Sequence, residues 1–427
     1  MAKYIIKRLA MPGRLARSST SLADMVYYEH LVRYSTNLAR MHAWPLGEVI
    51  RPHTELESGG TFPMTKQDIL IIHGTDFKEM AKQILTRADV AALIGDRDKQ
   101  VALKPNLASA NAPSTGATTH PQLLAGAIEY LQEHGFHHIS VIEGAWVGDR
   151  TDLAARAAGC DKVCRTYNVP FYDLQKDSWK EYDAHGMNIR LCDRAAAADY
   201  LINMPVLKGH CQTLITCALK NNKGLLPNAE KRRFHTLGLH RPIAHLNTLI
   251  PDSFILVDNI CGDLDFEEGG NPVVMNRVLG FLDPVLCDAY VCDCMGYSPD
   301  DVEYIRLAEA LGVGSADLSA ANIIPLNEDC LPDRKLEMTR RVHTLAAYTA
   351  PKDACSACYG SLIYALDRLN DSGFLHKKLP HICIGQGYKG KEGEIGVGQC
   401  TSCFAKTLKG CPPKAADIVE FLSENWK

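Results

Sequence analysis

The feature that most constrains this chain is an alternation, from residue 66 onward, of short apolar runs with segments whose apolar residues recur at helical spacing. Such an alternation is typical of a mainly parallel sheet whose strands are joined by crossover helices, and it therefore predicts an α/β fold. The predicted strands cover residues 68–73, 100–104, 138–143, 169–173, 200–204 and 254–258. The predicted helices cover residues 77–94, 121–134, 151–159, 211–222, 284–294 and 300–312.

The alternation has a limit at each end, and these limits divide the chain into three predicted parts. Residues 1–65 are predicted to form an N-terminal helical extension and linker, in which Asp24 caps a helix and a proline- and glycine-containing stretch follows. Residues 66–335 form the α/β body. Residues 336–427, where the α/β pattern weakens, form a small C-terminal cysteine-rich metal-binding domain.

The C-terminal domain carries two Cys-x2-Cys pairs and a Cys-Pro-Pro sequence. Their thiols are the predicted metal ligands, namely Cys355, Cys358, Cys400, Cys403 and Cys411. In a Cys-x2-Cys loop both sulfurs can turn toward one centre, which suits either a tetrahedral zinc or the corners of an iron–sulfur cluster. We predict a 4Fe-4S cluster, with zinc as the alternative, because a further thiol followed by proline is typical of cluster-binding sequences. Cys383 is a sixth candidate and the first to leave out, since it has no near partner.

The composition of the chain indicates the cellular location and the kinds of partner to expect. Sixteen cysteines are many for 427 residues, but they are scattered and do not form the dense framework of a small secreted domain, so we expect a reducing, cytoplasmic location. The net charge of −4 gives no basic footprint for nucleic acid. No apolar run is long enough to suggest a membrane span. The partners we expect are a small anionic substrate or a redox protein, and a homo-oligomer is possible.

Several predicted strands end on polar residues. In sheets of this kind ligands bind at the carboxyl ends of the strands, so these residues are candidates for one crevice. They are Lys104 and Asn106, Glu143, Asn203 followed by Lys208, and Asp258. Each one alone is explained better as a capping or turn residue, and their shared position at strand ends is what favours a functional role.

A loop after the second strand delivers Thr118, Thr119 and His120 to the start of a helix that begins at Pro121. The free amides and positive dipole of a helix N-terminus attract anions, so these residues, with Lys104, are predicted to bind a carboxylate or a phosphate. A simple threonine N-cap is the alternative for Thr119.

The stretch from Asn203 to Gly224 is rich in cations. Lys208 and His210 are the preferred substrate-site pair, predicted to hold an acidic substrate and to donate a proton. Lys220 and Asn221 are further substrate-binding candidates, although lysines near a helix C-terminus, Lys223 among them, also have a structural explanation.

Three histidines, His235, His240 and His245, follow at a spacing of five residues. This spacing differs from the i, i+4 pair of a helical metal site and argues against one. His240, beside Arg241, is the member predicted to act as a general acid or base.

Several stretches of the body together resemble the family called domain of unknown function 362. They are Val101–Asn106, Ala117–Pro121, Asn203–His210 with Leu219–Asn221 and Gly224, and Ile255–Asp258. The resemblance covers approximately residues 66–320. Members of that family often carry a ferredoxin-like iron–sulfur module, so the resemblance implies an iron–sulfur cluster-binding protein. The chain departs from the ferredoxin pattern, because it has split pairs in place of a continuous Cys-x2-Cys-x2-Cys-x3-Cys-Pro run.

Three hypotheses of function result. The first is an iron–sulfur oxidoreductase, or a cluster-dependent lyase, in which Lys104, Lys208 and His210 hold a small anionic substrate and supply protons. The second is a non-catalytic electron-transfer or cluster-carrier protein. The third is a non-redox α/β enzyme with a structural zinc site.

Overall fold

The computed structural model describes residues 63–251, 253–267, 269–327, 341–376 and 380–426, all of which belong to one compact unit, Ser58–Lys427. The predicted N-terminal helix lies outside these residues, as does the predicted boundary between body and cysteine-rich domain at 335/336. None of the helices in the described part of the chain has the length and apolar composition needed to cross a membrane.

The body is built from strands that form one large sheet and two hairpins. In chain order they are β1 (Asp68–His73), β2 (Val101–Pro105), β3 (Ile139–Glu143), β4 (Phe171–Asp173), β5 (Trp179–Ala184), β6 (Met187–Cys192), β7 (Tyr200–Met204), β8 (Lys208–His210), β9 (Leu214–Thr216), β10 (Ser253–Asp263), β11 (Pro272–Phe281) and β12 (Asn322–Pro325). The sheet has the order β12-β1-β11-β10-β7-β2-β3-β4. Only β11 runs antiparallel to its neighbours, so the prediction of a mainly parallel α/β sheet is confirmed.

Helices cover both faces of this sheet. They are α1 (Phe77–Arg87), α2 (Val90–Ile94), α3 (Pro121–Glu133), α4 (Thr151–Ala158), α5 (Cys160–Thr166), α6 (Asp193–Ala196), α7 (Ala218–Asn221), α8 (Asn228–Leu237), α9 (His240–Asn247), α10 (Pro284–Cys294) and α11 (Glu303–Ala310). Successive side chains of a strand point to opposite faces, so Ile69 and Ile71 lie in one hydrophobic core while Leu70 and Ile72 lie in the other. Burial on both faces explains why the parallel strands are continuous apolar runs.

The predicted helix over residues 211–222 is wrong. Residues 208–216 instead form the hairpin β8–β9, and only α7, Ala218–Asn221, is helical. The turn is closed by His210, whose Nδ1 accepts hydrogen bonds at 3.1 Å from the backbone N–H groups of Gln212 and Thr213. This side-chain bond stabilises a turn where the sequence pattern alone suggested a helix.

The cysteine-rich segment, which we call the tail, has its own small sheet and core. Its elements are α12 (Arg341–Ala346), β13 (Thr349–Pro351), α13 (Ser356–Asp371), β14 (Ile382–Ile384), β15 (Ile395–Val397), β16 (Lys406–Leu408) and α14 (Ala415–Asn425). The four strands are parallel and lie in the order in which they occur in the chain. Leu366 of α13, Ile384, Val397 and Leu422 of α14 are among the fully buried residues of its core.

Candidate functional site

The parallel register of the tail sheet brings the cysteines together. Because the strands are parallel, the turns that follow them meet at one edge of the sheet. Cys400 lies three residues after β15, Cys411 three residues after β16, and Cys355 four residues after β13. Neighbouring turns are joined by backbone bonds, such as those from the N–H groups of Gly398 and Gln399 to the carbonyls of Leu408 and Gly410, each 2.8 Å long.

We call Cys355, Cys358, Cys400 and Cys411 the thiol edge, since these four interact with one another. Burial, followed by the nearby Cys411, Cys355 and Cys400, raises the pKa of Cys358 to about 12. Burial also raises the pKa of Cys355, with Cys400 and Cys411 next in effect. Each thiolate would therefore oppose the ionisation of the others unless a cation compensates their charge.

The helix α13 and one lysine supply part of that compensation. Cys355 is the N-cap residue of α13 and Cys358 lies in its first turn, where the positive end of the helix dipole favours thiolates. The ammonium of Lys389 opposes the upward pKa shifts of both Cys355 and Cys400.

The other two candidate ligands are not grouped with these four. Cys403 is exposed, and its thiol is not among the main causes of the raised pKa values of Cys355, Cys358 and Cys400. Cys383 lies beside Tyr388, whose pKa is raised to about 12, mainly by burial and then by a hydrogen bond with this thiol.

The distances between the thiols bear on the choice between zinc and an iron–sulfur cluster. Four thiolates at about 2.3 Å from a tetrahedral zinc would lie roughly 3.8 Å apart. Within the described residues, the group of three or more ligand atoms that all lie within 4.8 Å of one another is Cys217, Cys287 and Asp288. Among the described residues, no three thiols of the thiol edge form a group that close.

That closer group in the body has a structural explanation. Cys217, Cys287 and Asp288 are completely buried, and the Asp288 carboxylate accepts hydrogen bonds from the N–H groups of Ala218 (2.7 Å) and Leu219 (3.3 Å) at the start of α7. Burial raises the pKa of Asp288 to about 7. The carboxylate already serves the backbone, and the thiols behave as small apolar groups.

A second cluster lies in the body, where the carboxyl ends of β2, β3 and β7 meet the hairpin β8–β9 and helices α7 and α8. We call it the lysine crevice and define it by five lysines: Lys104, Lys208, Lys220, Lys223 and Lys231. Burial lowers the pKa of Lys223 to about 7 and that of Lys231 to about 8. Lysines outnumber the two glutamates that approach them, Glu143 and Glu267, so the crevice is suited to anions.

Lys104 is the innermost of these lysines. Its side chain is fully buried and its ammonium lies 2.5 Å from Glu143 Oε2 and 3.2 Å from Asn221 Oδ1. Asn221 in turn donates to Asn203 Oδ1 at 2.7 Å, which joins the ends of β2, β3 and β7 to α7. Burial lowers the pKa of Lys104, and the Glu143 carboxylate opposes that shift.

Lys208 and His210, the preferred substrate pair from the sequence, line the wall of the crevice. Lys208 is fully buried and donates to the carbonyls of Ala117 (2.7 Å) and Glu267 (2.9 Å). It also donates to Asn106 Oδ1 at 3.3 Å. His210 Nε2 lies 3.1 Å from Glu267 Oε2, and burial lowers the pKa of His210 to about 4. Since Nδ1 accepts two backbone bonds, the imidazole is the neutral Nε2–H tautomer and donates to Glu267.

Lys220 and Glu267 form the charged pair of the crevice. The Lys220 ammonium lies 2.5 Å from Glu267 Oε1 and 3.1 Å from Thr216 Oγ1. Burial acts to raise the pKa of Glu267, but Lys220 and His210 outweigh it and hold this pKa well below its usual range. Glu267 was not a sequence candidate, because it lies in an irregular turn after β10 and not at a strand end.

Lys223, Lys231 and His235 were also missing from the predicted site residues. Lys231 donates to the carbonyls of Gly144 (2.7 Å) and Ala145 (3.0 Å), and Lys223 Nζ lies 3.5 Å from His235 Nε2. Burial lowers the pKa of His235 to about 2. The sequence signal for Lys223 was present, but its position near a helix end offered a structural explanation.

The predicted anion site at the start of α3 is occupied by a carboxylate of the protein. Asp258 Oδ2 accepts from the His120 backbone N–H at 2.7 Å and lies 2.9 Å from His120 Nδ1. Burial acts to lower the pKa of His120, but Asp258 outweighs it and raises this pKa to about 10. The Thr119 hydroxyl donates to Met204 O at 2.8 Å and that of Thr118 donates to Asn111 O at 3.0 Å, so both bond to the backbone.

His240 lies in a different environment from the crevice groups. Its Nδ1 accepts from the Tyr304 N–H at 3.2 Å, and its ring stacks on the Tyr304 ring with centroids 5.9 Å apart. Burial lowers its pKa, with Glu303 opposing the shift. These contacts join α9 to α11.

Three contacts connect segments next to the crevice with the tail. Gln212 Nε2 donates to the carbonyl of Ala354, the residue before Cys355, at 2.9 Å. Phe266, next to Glu267, belongs to the tail core and packs edge-to-face on Tyr364 with centroids 5.9 Å apart. Cys211 also packs against the tail core. Short segments therefore link both clusters.

A cavity of about 610 Å³ also lies between body and tail, but it contains none of the crevice lysines or edge thiols. Its lining is Leu264, Asp265, Asn271, Pro272, Val273, Arg341, Thr344, Leu345 and Asn370. The cation there, Arg341, is bonded to Asp367 and Asp371. We therefore place the chemistry in the two clusters and not in this cavity.

Two comparisons with known proteins bear on this chain. A protein of Synechocystis sp. described as thylakoid-associated is 29% identical over 226 residues, which are 51% of this chain and 69% of that protein. The family model described as Domain of unknown function (DUF362) matches residues 101–293, a range that includes all five crevice lysines and ends before the thiol edge. The chain is therefore similar to DUF362 over the part of the body that forms the lysine crevice.

Proposed function

We propose that this protein is an iron–sulfur oxidoreductase that acts on a small anionic substrate bound in the lysine crevice. The observation that carries the proposal is the thiol edge, in which four cysteines from three separate turns meet in the tail, next to the part of the body that holds the cationic crevice. An oxidoreductase needs an electron-carrying group next to a substrate site, and the contact of Gln212 with the residue before Cys355 connects the two.

The number of thiols supports a 4Fe-4S cluster in this proposal, and so does the absence of a close group of three among these described thiols. A cubane takes four cysteine ligands and separates them by its own iron and sulfide atoms, so it needs a wider set than zinc does. Cys355, Cys358, Cys400 and Cys411 would hold it, and Cys403 and Cys383 would be spare. When bound, the cluster would supply one-electron redox chemistry.

The crevice would bind the substrate through its accessible cations. Lys104 and Lys208 are buried and bonded within the protein, so their role in the proposal is to fix the walls. Lys223, the half-buried lysine of the five, would meet the substrate, and the charge of the neighbouring Lys220 would attract the substrate's carboxylate. His210, held neutral, would keep Glu267 and Lys220 in place.

The test is anaerobic reconstitution of the full chain with iron and sulfide. We expect visible absorbance that bleaches with dithionite, and four irons and four sulfides per chain, the composition of a cubane. Serine at any of positions 355, 358, 400 or 411 should greatly reduce iron retention, whereas Cys403→Ser and Cys383→Ser are matched controls that should retain it. A colourless protein that binds one zinc, or equal loss in Cys403→Ser, would contradict the proposal.

The exposure of Cys411 favours a second candidate, a non-catalytic electron-transfer protein, since an exposed ligand brings a cluster close to a partner. The Synechocystis relative is described as thylakoid-associated, which is compatible with such a partner at a membrane and leaves the cytoplasmic location a prediction. The variant Lys223→Met separates the two candidates. Substrate turnover should fall if the crevice is a substrate site. If the protein is only an electron carrier, its electron exchange with a partner should be unchanged.

A further inference from the structure

Lys223 differs from the other four lysines of the crevice. Lys104 and Lys220 each pair with a glutamate, and Lys208 and Lys231 each donate to two backbone carbonyls. For Lys223, the hydrogen-bond partner within the described residues is the ring of His235, at 3.5 Å. It is also the only one of the five that is half-buried and not buried. It is therefore the one lysine of the five with appreciable exposed surface.

We propose that Lys223 is a nucleophilic amine that forms an imine with a carbonyl substrate, and that the substrate class of the crevice is a small 2-oxo acid. The inference rests on the proposed function in taking the crevice as the substrate site, and it adds a covalent role and a substrate class. A 2-oxo acid carries a carbonyl group next to a carboxylate, so one end can meet the amine while the other meets the cations.

The charges around Lys223 favour its neutral form. Lys220 on α7 and Lys231 on α8 repel a further positive charge, Glu267 in the turn after β10 opposes them, and His235 on α8 is uncharged. Burial has the largest effect, and together these groups lower the pKa of Lys223 to about 7. A desolvated lysine next to other cations is a recognised way to obtain a nucleophilic amine. At neutral pH a large fraction of Lys223 is then unprotonated.

The reaction balances without an external oxidant or reductant. The Lys223 nitrogen adds to the carbonyl carbon of the 2-oxo acid, and the carbonyl oxygen leaves as water after it has taken up two protons. One proton comes from the amine and one from solvent, so the product is a protonated imine and one water molecule. The nearby imidazole of His235 can accept the hydrogen bond that the amine donates before it attacks.

The experiment is reductive trapping on the full chain. The protein is incubated with glyoxylate and cyanoborohydride near pH 7, and the modified peptides are identified by mass spectrometry. Lys82 is the matched control, because it is also partly buried but is bonded to Glu129 and Glu133, and the hydrogen bond to Glu129, followed by that to Glu133, raises its pKa. We expect at least roughly tenfold more adduct at Lys223 than at Lys82.

Two further measurements keep the proposal falsifiable. Lys223→Arg should lose the adduct at this position, and in the unaltered chain acetate should slow trapping at Lys223 but not at Lys82. Equal labelling of the two lysines, or trapping at Lys223 that acetate does not slow, would overturn the proposal. The same trapping on the Cys400→Ser variant separates the two proposals. If Lys223 is labelled in this variant, and neither the variant nor the unaltered protein retains iron, the iron–sulfur cluster is overturned and the imine is not.

Discussion

The lysine crevice and the thiol edge are both built at the carboxyl ends of parallel strands, yet their polar groups are satisfied in different ways. In the crevice the protein provides the partners, as in the pair of Lys104 with Glu143 at 2.5 Å. At the thiol edge Cys355, Cys358 and Cys400 have raised pKa values, first through burial and then through the other thiols. Four of the five crevice lysines thus have carboxylate or carbonyl partners within the protein, whereas a positive charge would stabilise the thiolates of the thiol edge.

This difference has an energetic consequence. A buried ion pair depends on both of its members, so the crevice should be sensitive to single substitutions. A thiolate site depends on its metal, because binding free energy then adds to folding free energy. The two regions should therefore respond to different perturbations, and the predictions below test whether they do.

Removal of the metal should have the largest effect, and it should be confined to the tail. Chelation of a reconstituted protein is expected to lower the free energy of local unfolding of α13 by on the order of 5 kcal/mol or more. Hydrogen exchange measures this change directly. Amides of β2 and β7 in the body serve as the control and should keep their protection; a loss shared by both regions would remove the distinction between them.

Lys104→Met should be the most damaging single substitution in the crevice. It leaves the Glu143 carboxylate buried without its cation, which typically costs about 3–5 kcal/mol of unfolding free energy. Urea denaturation gives the value. The double variant Lys104→Met/Glu143→Gln should recover part of the loss, since the uncompensated charge is then gone. If the double variant is as unstable as the sum of the single ones, the ion pair is not the source of the effect.

The sequence predicted the sheet well because its strands are buried on both faces. The continuous apolar runs of β1 and β7 and the helix α10 agree with the structure to the residue. The helix predicted over 211–222 failed because the bonds from the Gln212 and Thr213 N–H groups to His210 Nδ1 fix a turn, and no periodicity reports such a bond.

The sites were predictable to the extent that strand ends and cysteine spacing determine them. Lys104 and Lys208 were found because strand ends converge in a parallel sheet, and the structure brings both into the crevice. Lys223 and Glu267 could not be selected, since their roles depend on which partner each side chain meets. At the thiol edge, the grouping of Cys411 with Cys355, Cys358 and Cys400 depends on how β15 and β16 pair, which sequence spacing does not contain.

Replacing His210 with glutamine should change the pH dependence of stability. The pKa of His210 is lowered from 6.5 to about 4 in the folded protein, so between these values the unfolded chain binds more protons. Stability is therefore complete above pH 6.5 and is lost as the pH falls toward 4, by up to about 1.4 kcal/mol per pH unit. In His210→Gln, an amide can still donate to Glu267, and this part of the slope should disappear.

Denaturation of both chains between pH 7 and pH 5 measures that slope. Near pH 5 we expect the unaltered protein to have lost about 2 kcal/mol more than the variant has. The shifted pKa of His235 contributes a pH dependence of stability with the same sign, and that of Asp288 one with the opposite sign. Both residues are present in both chains, so their contributions cancel in the difference. Parallel pH curves would mean that His210 is charged in the fold or that the turn opens on acidification.

The smallest expected effect concerns the contact that connects the two regions. Gln212→Ala removes the 2.9 Å bond to Ala354 O, and one such bond is worth only about 1 kcal/mol of stability. Its loss should nevertheless be local, raising hydrogen exchange in residues 353–359 while the crevice keeps its protection. Gln83→Ala is the control, because Gln83 makes an exposed hydrogen bond to Glu79 on α1, away from both clusters.

If Gln212→Ala also slows substrate turnover of the reconstituted protein and Gln83→Ala does not, the two regions act as one site. If turnover is unchanged, the contact holds the tail in place without coupling it to the crevice.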